Sequence, residues 1–462
     1  MTTTFDPTAT AAGLEALRAA IDGELYLPGD GGYDAARMPW NVAVDQRPAA
    51  VALPTHARDV TEIVVFARSL GLRVAPQGTG HNAGPLGDLS DVILVRTGAM
   101  TEVRIDPAAR VAHVQSGALW EHVVVPAAAH GLVALHGSSP DVGVAGYTLG
   151  GGVGWLARRH GLASNSLVAV EIVLPDGRLV RADRDTEPEL FWALRGGGGN
   201  FGIVTALELR LFPLEQVVGG WLIWPWEESQ RVLSAWAEWT GTTPDAVTSV
   251  ARILQLPPIP QIPEPLRGRS IVVVEVAILP EEADADALLA PLRALGPEID
   301  TVAPMPASGL MRLHQDPEGP TPGISHHAML DALPPEAVET IVREAGPGSG
   351  SPLLALELRQ LGGALARAPE GAGALDRIDA RFALFAVGIP MDAAMGAAVA
   401  AHADRVVAAV GRWGRGRAYL NFAERPTASV TGFDEDAHAR LLAIRARYDG
   451  RSMMRSNHRI EG

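Results

Sequence analysis

The stretch Gln77-Gly78-Thr79-Gly80-His81-Asn82 decides how this chain is interpreted. The run from Leu72 to Pro76 leads into it and has the character of a strand. Two glycines and a threonine allow a tight turn, whose backbone N–H groups can converge on an anion such as a pyrophosphate. A histidine at the end of that turn would lie beside the bound group. An ordinary turn has the same pattern, so the remaining sequence has to discriminate between the two.

Two further glycine-rich stretches follow, at residues 137–154 and 196–202. The first interleaves Val142, Val144 and Leu149 with its glycines, a pattern that a flexible surface loop does not need. So many glycines among small residues allow another object to approach the backbone closely. We therefore expect this stretch to pack against a flat partner.

The composition is that of an acidic globular protein without cysteine. The chain has 462 residues, too many for one ordinary core, so we expect two domains. Its net charge of −15 argues against nucleic acid or an anionic membrane as a partner, because phosphate binding needs a basic face. Because cysteine is absent, disulfides, thiolate nucleophiles and cysteine-based metal sites are excluded.

We expect a cytoplasmic location. Residues Met1 to Asp6 lack the basic segment and apolar run of a signal peptide. We also expect no uninterrupted apolar stretch long enough to span a bilayer.

The first part of the chain is predicted to combine strands and helices between its glycine-rich stretches. Thr55 is placed to cap a helix that Gly71 ends. Asp176-Gly177 is typical of the turn of a hairpin. In the strand that follows residue 202, simple alternation puts Ile203 and Leu207 on one face.

The texture changes after Phe212-Pro213. Residues 219–414 are poor in glycine clusters. The predicted strands are Trp221 to Trp224, Val250 to Leu256, Ile271 to Leu279, Leu353 to Leu358 and Phe382 to Ile389, and the predicted helices are Ser229 to Trp239, Ala285 to Leu295, Pro335 to Glu344 and Ala393 to Val410. This arrangement favours an antiparallel sheet with helices packed on one face. The tryptophans Trp221, Trp224, Trp236 and Trp239 are predicted to belong to its core.

Taken together, the motifs resemble one flavoprotein superfamily, that of vanillyl-alcohol oxidase and p-cresol methylhydroxylase, in its berberine-bridge-enzyme-like branch. Separated signatures agree in order over nearly the whole chain. They are Gly78-Thr79-Gly80-His81, Ser139-Pro140-Asp141-Val142-Gly143 with Leu149-Gly150-Gly151-Gly152, Gly199-Asn200-Phe201-Gly202-Ile203-Val204, and Tyr419-Leu420-Asn421 followed by Tyr448-Asp449.

The resemblance implies an α+β fold and FAD as the cofactor. It implies a two-part FAD-binding domain of the p-cresol-methylhydroxylase (PCMH) type, at residues 1–214 and 415–462. A substrate-binding domain at residues 215–414, with an antiparallel sheet and helices on one face, would lie between the two parts. The change of texture near Phe212 agrees with this division.

The resemblance also implies which residues bind the cofactor. Backbone amides of residues 77–82 and about 138–146 would hold the pyrophosphate, and the Ile203-Val204 region would hold the adenine and ribose. The predicted cofactor-binding residues are Gln77, Gly78, Thr79, Gly80, His81, Asn82, Ser138, Ser139, Val142, Gly143, Gly146, Tyr147, Gly150, Gly154, Asn200, Ile203, Val204, Tyr419 and Asn421.

His81 matches the family histidine that bonds covalently to the 8α-methyl group of the flavin. Many relatives attach FAD a second time, through a cysteine at the position that Ser139 occupies here. The sequence therefore predicts covalent linkage through His81 only. Val142 matches a position that influences oxygen access in relatives, where valine accompanies oxidase activity.

The catalytic base is left open, because Phe422 stands where many relatives carry a tyrosine. Tyr419, Tyr147 and Glu424 are the candidates. A further alternative is that no base is needed, as when the substrate is a neutral amine.

Two polar groups of the middle region could also face the substrate. Adjacent residues of a strand point to opposite faces, so His326-His327 are expected to place one ring towards the substrate cavity and one outwards, rather than to share a metal ion. No metal is predicted. Glu357, Arg359 and Gln360 could line the pocket over the flavin, and a surface ion pair between Glu357 and Arg359 is the alternative.

The predicted function is that of an FAD-dependent oxidase. It would remove a hydride from a small-molecule substrate, at a C–H beside an alcohol or amine, and pass it to flavin N5. Oxygen would accept the electrons and yield hydrogen peroxide. The alternatives are a dehydrogenase with another acceptor and a flavin-binding protein without redox turnover.

Overall fold

The computed structural model describes residues 7–462 of the chain. The predicted absence of a signal peptide concerns Met1 to Asp6, which lie outside these residues. In the first part of the chain the helices are α1 (Pro7–Ala20), α2 (Tyr33–Arg37), α3 (Ala57–Leu70), α4 (Trp120–Ala128), α5 (Val144–Leu149), α6 (Ala157–His160) and α7 (Pro188–Leu194). The strands are β1 (Glu24–Tyr26), β2 (Ala50–Leu53), β3 (Arg73–Gln77), β4 (Val92–Arg96), β5 (Val103–Asp106), β6 (Val111–Gln115), β7 (Leu132–Val133), β8 (Leu167–Val173), β9 (Leu179–Asp183), β10 (Ile203–Arg210) and β11 (Phe212–Pro213).

A small sheet with strand order β1-β2-β4-β3 carries the first glycine turn at the end of β3. Strands β2, β4 and β3 run parallel, and α3 crosses over between β2 and β3. Gly71 ends α3 in the left-handed conformation, as predicted. The predicted cap at Thr55 is wrong: His56 is the N-cap, because its ring accepts the Asp59 N–H, while Thr55 donates to the Asp59 carboxylate.

A second sheet, with strand order β5-β6-β10-β8-β9, carries the third glycine-rich stretch before β10. Strands β8 and β9 form the predicted hairpin, with Gly177 at a φ of +90° in the turn. The predicted common face of Ile203 and Leu207 is wrong. The register against β8 shifts between Val204 and Ala206, so the extra residue of this bulge turns Ile203 to the opposite face. Ile203 packs with the core of the first sheet, and Leu207 with that of the second.

The middle region forms one large antiparallel sheet. Its strands are β12 (Gln216–Pro225), β13 (Val247–Gln255), β14 (Ser270–Ile278), β15 (Ile299–Asp300), β16 (Ala303–Pro306), β17 (Ile324–Leu330), β18 (Ala355–Gln360) and β19 (Phe382–Gly388), in the order β15-β12-β14-β13-β18-β19-β17 with β16 paired to β12. Its helices are α8 (Ser229–Thr240), α9 (Ala285–Arg293), α10 (Pro335–Ala345) and α11 (Ala393–Val410). All four helices bury their apolar sides against one face, as predicted, and none contributes to the core of the other face. The predicted α+β fold class is confirmed.

Helix α11 bears on the expectation about membrane-spanning stretches. By length and composition alone, the segment Ala393–Trp413 could cross a membrane, although His402, Asp404 and Arg405 interrupt its apolar run. Its buried positions include Val399, Ala403 and Val406, which recur at helical spacing and pack into the core of the large sheet. This one-sided burial is typical of a helix that covers a sheet.

The last segment returns to the glycine-rich stretches. After α12 (Glu435–Tyr448), the tail lies beside β3, where Val74 donates to the Met453 carbonyl at 3.0 Å and its own carbonyl accepts the Arg455 N–H at 2.8 Å. Asn200 fixes the tail further, because its Oδ1 accepts both the Ser456 hydroxyl and the Ile460 N–H. The tail is therefore fixed to β3 and to the third glycine-rich stretch.

Candidate active site

A cavity of about 630 Å³ lies between the helix-free face of the large sheet, which is the face that α8 to α11 do not cover, and the three glycine-rich stretches. Its volume falls in the range of about 300–1,000 Å³ that is typical of ligand sites. The turn at residues 77–82, the segments 137–150 and 196–202, and the segments 419–424 and 456–460 all contribute to its wall. The structure thus brings together around one space the motifs that are far apart in the sequence.

Most of the predicted cofactor-binding residues line this cavity. They are Gln77, Gly78, Thr79, Gly80, His81, Asn82, Ser138, Ser139, Val142, Gly143, Gly146, Tyr147, Gly150, Asn200, Val204, Tyr419 and Asn421. Ile203 does not, because the bulge in β10 turns its side chain into the core and leaves Val204 at the cavity. Gly154 does not either: a Cβ there would lie 1.8 Å from the carbonyl oxygen of His136, so this glycine serves a close backbone contact.

The first glycine turn is tight and fixed at both sides. Gly80 has a φ of +86°, and a Cβ there would lie 2.7 Å from the Pro39 side chain, so this position favours glycine. Gln77 is buried and pairs its amide with that of Gln46. By contrast, a Cβ on Gly78 would meet no protein atom closer than 3.9 Å. Gly78 therefore leaves open space on the cavity side of the turn.

His81 is held in a defined orientation at the end of this turn. Its ring stacks on the indole of Trp40 at 4.0 Å between centroids, and its Nδ1 lies 2.7 Å from the Thr79 hydroxyl. Its Nε2 is buried and has no hydrogen-bond partner among the described residues. Burial lowers the pKa of His81 to about 4, although the charges of Asp141 and Asp316 oppose this shift. The imidazole is therefore neutral at physiological pH and can act as a nucleophile or a ligand.

Asp141 connects the first turn with the second glycine-rich stretch. One of its oxygens accepts the indole N–H of Trp40 at 2.6 Å and the Gly319 N–H at 2.7 Å, and the other accepts the Ser139 hydroxyl at 2.7 Å. Burial opposes ionisation, but these hydrogen bonds outweigh it and lower the pKa of Asp141. An ionised carboxylate therefore faces His81, with 3.9 Å between Asp141 Oδ1 and His81 Nε2.

The three candidate bases differ in their hydrogen-bond partners and in their pKa values. The Tyr419 hydroxyl accepts the Gly152 N–H at 2.9 Å, and burial raises the pKa of Tyr419 to about 12. The Tyr147 hydroxyl is buried without a partner among the described residues, and burial raises its pKa well above the ordinary value. Glu424 also lines the cavity, and burial raises its pKa to about 7. Of the three, Glu424 alone changes protonation near neutral pH.

Phe422 occupies a position where it contacts the rest of the site without offering a proton acceptor. Its ring centroid is 5.0 Å from that of Tyr419, and the Arg359 guanidinium lies 5.3 Å from the ring centroid. Asn421 donates to the Tyr147 carbonyl at 2.9 Å, which fixes the segment against the second glycine-rich stretch.

The two adjacent histidines of the middle region do not lie where the sequence predicted. His327 is buried and its Nε2 accepts the Tyr419 N–H at 3.2 Å, while His326 pairs with Asp404 at 2.9 Å. Neither ring lines the cavity, so the expectation that one faces the substrate is wrong. Their opposite directions do follow from strand alternation.

Glu357 and Arg359 line the cavity, as one of the two alternatives predicted, and they are paired with each other in its wall rather than on the surface. Gln360 points to the other face, where it forms hydrogen bonds with Ser249 and Thr243. The prediction that Gln360 lines the pocket is therefore wrong. The four tryptophans of this region are buried in its core, as predicted, and Trp221 also lines the cavity.

A buried charge cluster, which sequence reasoning missed, surrounds this pair. His314 lies between two carboxylates: Nε2 is 2.8 Å from Glu357, and Nδ1 bonds Glu275. Burial and the charge of Arg252 oppose protonation of His314. The carboxylates of Glu275, Asp316 and Glu357 outweigh both and raise its pKa to about 9. His314 comes from an irregular segment, so no periodicity in the sequence indicates its position.

Comparison with known proteins identifies the cofactor class. A family model described as an FAD binding domain matches residues 48–183. The chain is 35% identical over 206 residues to (R)-6-hydroxynicotine oxidase of Paenarthrobacter nicotinovorans, covering 44% of this chain and 45% of that one. It is also 35% identical over 208 residues to a xylooligosaccharide oxidase of Thermothelomyces thermophilus, covering 44% and 42%. The chain thus spans about half the length of the curated relatives it matches.

Solved structures resemble the chain over nearly its whole length. The BBE-like 1 protein of Physcomitrella patens superposes with a TM-score of 0.84 at 19% identity, covering 97% of this chain and 99% of that one. The 6-hydroxy-D-nicotine oxidase of Arthrobacter nicotinovorans superposes with a TM-score of 0.80 at 25% identity, covering 94% and 96%. The predicted resemblance is therefore confirmed: the chain carries an FAD-binding domain, relatives that it matches are oxidases, and its fold is that of berberine-bridge-enzyme-like proteins.

Proposed function

We propose that this protein is an FAD-dependent oxidase, which removes a hydride from a C–H beside an alcohol or amine and uses O2 as the acceptor. The observation that carries the proposal is His81: a neutral imidazole with an unpartnered Nε2, held at the end of a glycine turn in the wall of a large cavity. The FAD-binding match and the oxidase names of the relatives support the same activity.

The residues around the cavity fit a bound FAD. Gly78 and Gly146 line the wall, and a Cβ on either would enter space that no nearby protein atom fills. The segments 77–82 and 138–146 would hold the pyrophosphate, and Val204 would lie at the adenine and ribose end. In this proposal His81 attaches covalently to the cofactor and is its single attachment, because Ser139 cannot form a thioether. The FAD domain would comprise residues 1–214 and 415–462.

When bound, FAD would accept the hydride from carbon and would pass the electrons on to the acceptor. The chain's own residues would orient the two partners and remove a proton. Glu424 is the proposed base for a substrate hydroxyl, because its carboxylate forms near neutral pH while both tyrosines stay protonated. For a neutral amine substrate no base is needed. Val142 in the cavity wall supports O2 as the acceptor, through its match to the family position.

The test combines anaerobic reduction with peroxide detection. Purified protein should show flavin absorbance that is bleached by a substrate from a panel of alcohols, cyclic amines and sugars under nitrogen. Admission of air should restore the absorbance and release hydrogen peroxide. Reduction that persists in air would assign a dehydrogenase instead, and a flavin that no compound reduces would assign a binding protein without turnover.

A further inference from the structure

We propose that the substrate of this site is a compound with an apolar body and a single polar group at the oxidised carbon, and not an oligosaccharide. The inference rests on the proposed function and adds the substrate class. It follows from the residues that line the sheet side of the cavity, taken in order along the strands.

The helix-free face of the large sheet presents these residues in rows. Leu254 of β13 pairs with Ala355 of β18, which pairs with Val387 of β19. Two residues further along β18, Glu357 pairs with Arg252 on one side and with Phe385 on the other. Since strands advance about 3.3 Å per residue, the apolar row and the charged row are about 7 Å apart. The cavity therefore changes from charged to apolar along the strands.

Beyond the apolar row, the same side of the cavity continues with further apolar side chains. This outer zone consists of Leu256, Ile259, Ile262, Leu266 and Ile389, all of which line the cavity. Ile259 is 42% exposed, so the zone reaches the open end of the cavity. A substrate that enters there meets aliphatic carbon before it meets any charge.

The backbone of the outer zone is also unavailable to a polar ligand at its rim. Prolines fix much of the segment 257–266 and remove N–H donors. Arg267 donates to the carbonyls of Ile259, Pro260 and Ile262 at 3.1–3.3 Å. These carbonyls thus already accept hydrogen bonds from the residue that follows the segment. Sugar hydroxyls placed here would lose water without gaining partners.

At the inner end of the outer zone, most of the charged side chains already have partners within the protein. Arg252, Glu275, His314 and Glu357 are bonded to one another in the charge cluster. Arg359 donates through Nε to Glu357, and its two terminal nitrogens have no partner among residues 7–462. Arg359 can therefore donate hydrogen bonds to one oxygen-bearing group of a ligand. A single polar group on an apolar body matches this arrangement, whereas a chain of pyranose rings does not.

The experiment titrates the flavin-containing protein by calorimetry with 1-alkanols from butanol to octanol, and separately with xylobiose and cellobiose. Affinity for the alkanols should rise about fourfold for each added methylene, the value for transfer of a methylene out of water. The two sugars should bind more weakly than octanol and should not bleach the flavin. A flat alkanol series, or bleaching by either sugar, would overturn the inference.

A matched pair of variants locates the binding. Ile259→Asn places an amide in the outer zone and should flatten the alkanol series, while Val125→Asn, at an apolar position 59% exposed and away from the cavity, should not. An unchanged series in Ile259→Asn would overturn the placement. Failure of the proposed function is distinguished beforehand, because protein that lacks flavin absorbance refutes that function whatever the alkanols do.

Discussion

The indole of Trp40 and the imidazole of His81 lie nearly parallel, with centroids 4.0 Å apart and planes inclined by 16°. The same indole donates its N–H to Asp141, whose other oxygen faces Nε2 of His81. Trp40 therefore sets both the plane of the imidazole and the position of the carboxylate beside it. A histidine oriented in this way is prepared for one direction of attack.

Removing the indole should slow covalent attachment of the flavin. In Trp40→Leu the stacking partner and the bond to Asp141 are both lost, and misplacement of a reacting group by about 1 Å can cost about 100-fold in rate. Trp40→Phe keeps the stacking and should lie between the variant and the parent. The measurement is the fraction of flavin that stays with acid-precipitated protein as a function of time after FAD is added. Attachment in Trp40→Leu at the parental rate would refute the orienting role.

A methyl group at Gly146 should reduce flavin content without reducing stability. Its Cβ would enter space that is free of protein atoms but lies in the cavity wall, so it conflicts only with a bound group. Gly98→Ala is the control, because a Cβ there is equally unopposed and Gly98 does not line the cavity. The flavin-to-protein absorbance ratio should fall in Gly146→Ala and stay unchanged in Gly98→Ala. Full flavin content in both variants would argue against the proposed position of the cofactor.

Turnover of an alcohol should depend on the ionisation of Glu424. Burial raises the pKa of this carboxyl to about 7, so the base form is lost as the pH falls below that value. The ratio kcat/KM should then decrease about tenfold per pH unit on the acid side. Glu424→Gln should lower kcat/KM and abolish this limb, whereas Glu102→Gln, at an exposed position just before β5, should keep it. Persistence of the limb in Glu424→Gln would assign the titration to another group.

Stability should fall in alkaline solution because of His314. Its pKa is raised from an unfolded value of about 6.5 to about 9 in the folded protein, so the folded state holds the extra proton between these values. The contribution is complete below about pH 6.5 and is lost as the pH rises through 9. Denaturant unfolding at a series of pH values measures it.

The variant His314→Gln should remove this pH dependence and lower the free energy of unfolding by about 3–5 kcal/mol at neutral pH, since it leaves buried carboxylates without their partner. His326→Gln is the control, because its ring is half-buried and pairs with Asp404 near the surface. Equal effects of the two variants would contradict the account of the charge cluster.

The parts of the fold that depend on local pattern were accessible to sequence reasoning. Helix α11 has the predicted bounds, because its apolar positions recur at helical spacing and Asp392 caps it. The face of Ile203 was not accessible, since a bulge is decided by the pairing of β10 with β8 rather than by alternation within one strand. The bounds of strand β17 were not predicted, because its polar pair His326-His327 interrupts the apolar run, although the pair itself was expected to lie on a strand.

The site divides in the same way. The glycine turn and His81 carry local signals, and most of the predicted cofactor-binding residues do line one cavity. Trp40 and His314 lie in irregular segments, and their roles arise from contacts with residues distant in the chain. Only the folded structure brings such groups to the site.

The most direct measurement is peptide mapping of the purified protein after acid denaturation and proteolysis. The account predicts that flavin absorbance and the corresponding added mass occur on the peptide that contains His81 and on no other peptide. Protein from His81→Ala should release its flavin into the acid supernatant. Flavin that is released from the parent protein, or found on a different residue, would contradict the central claim.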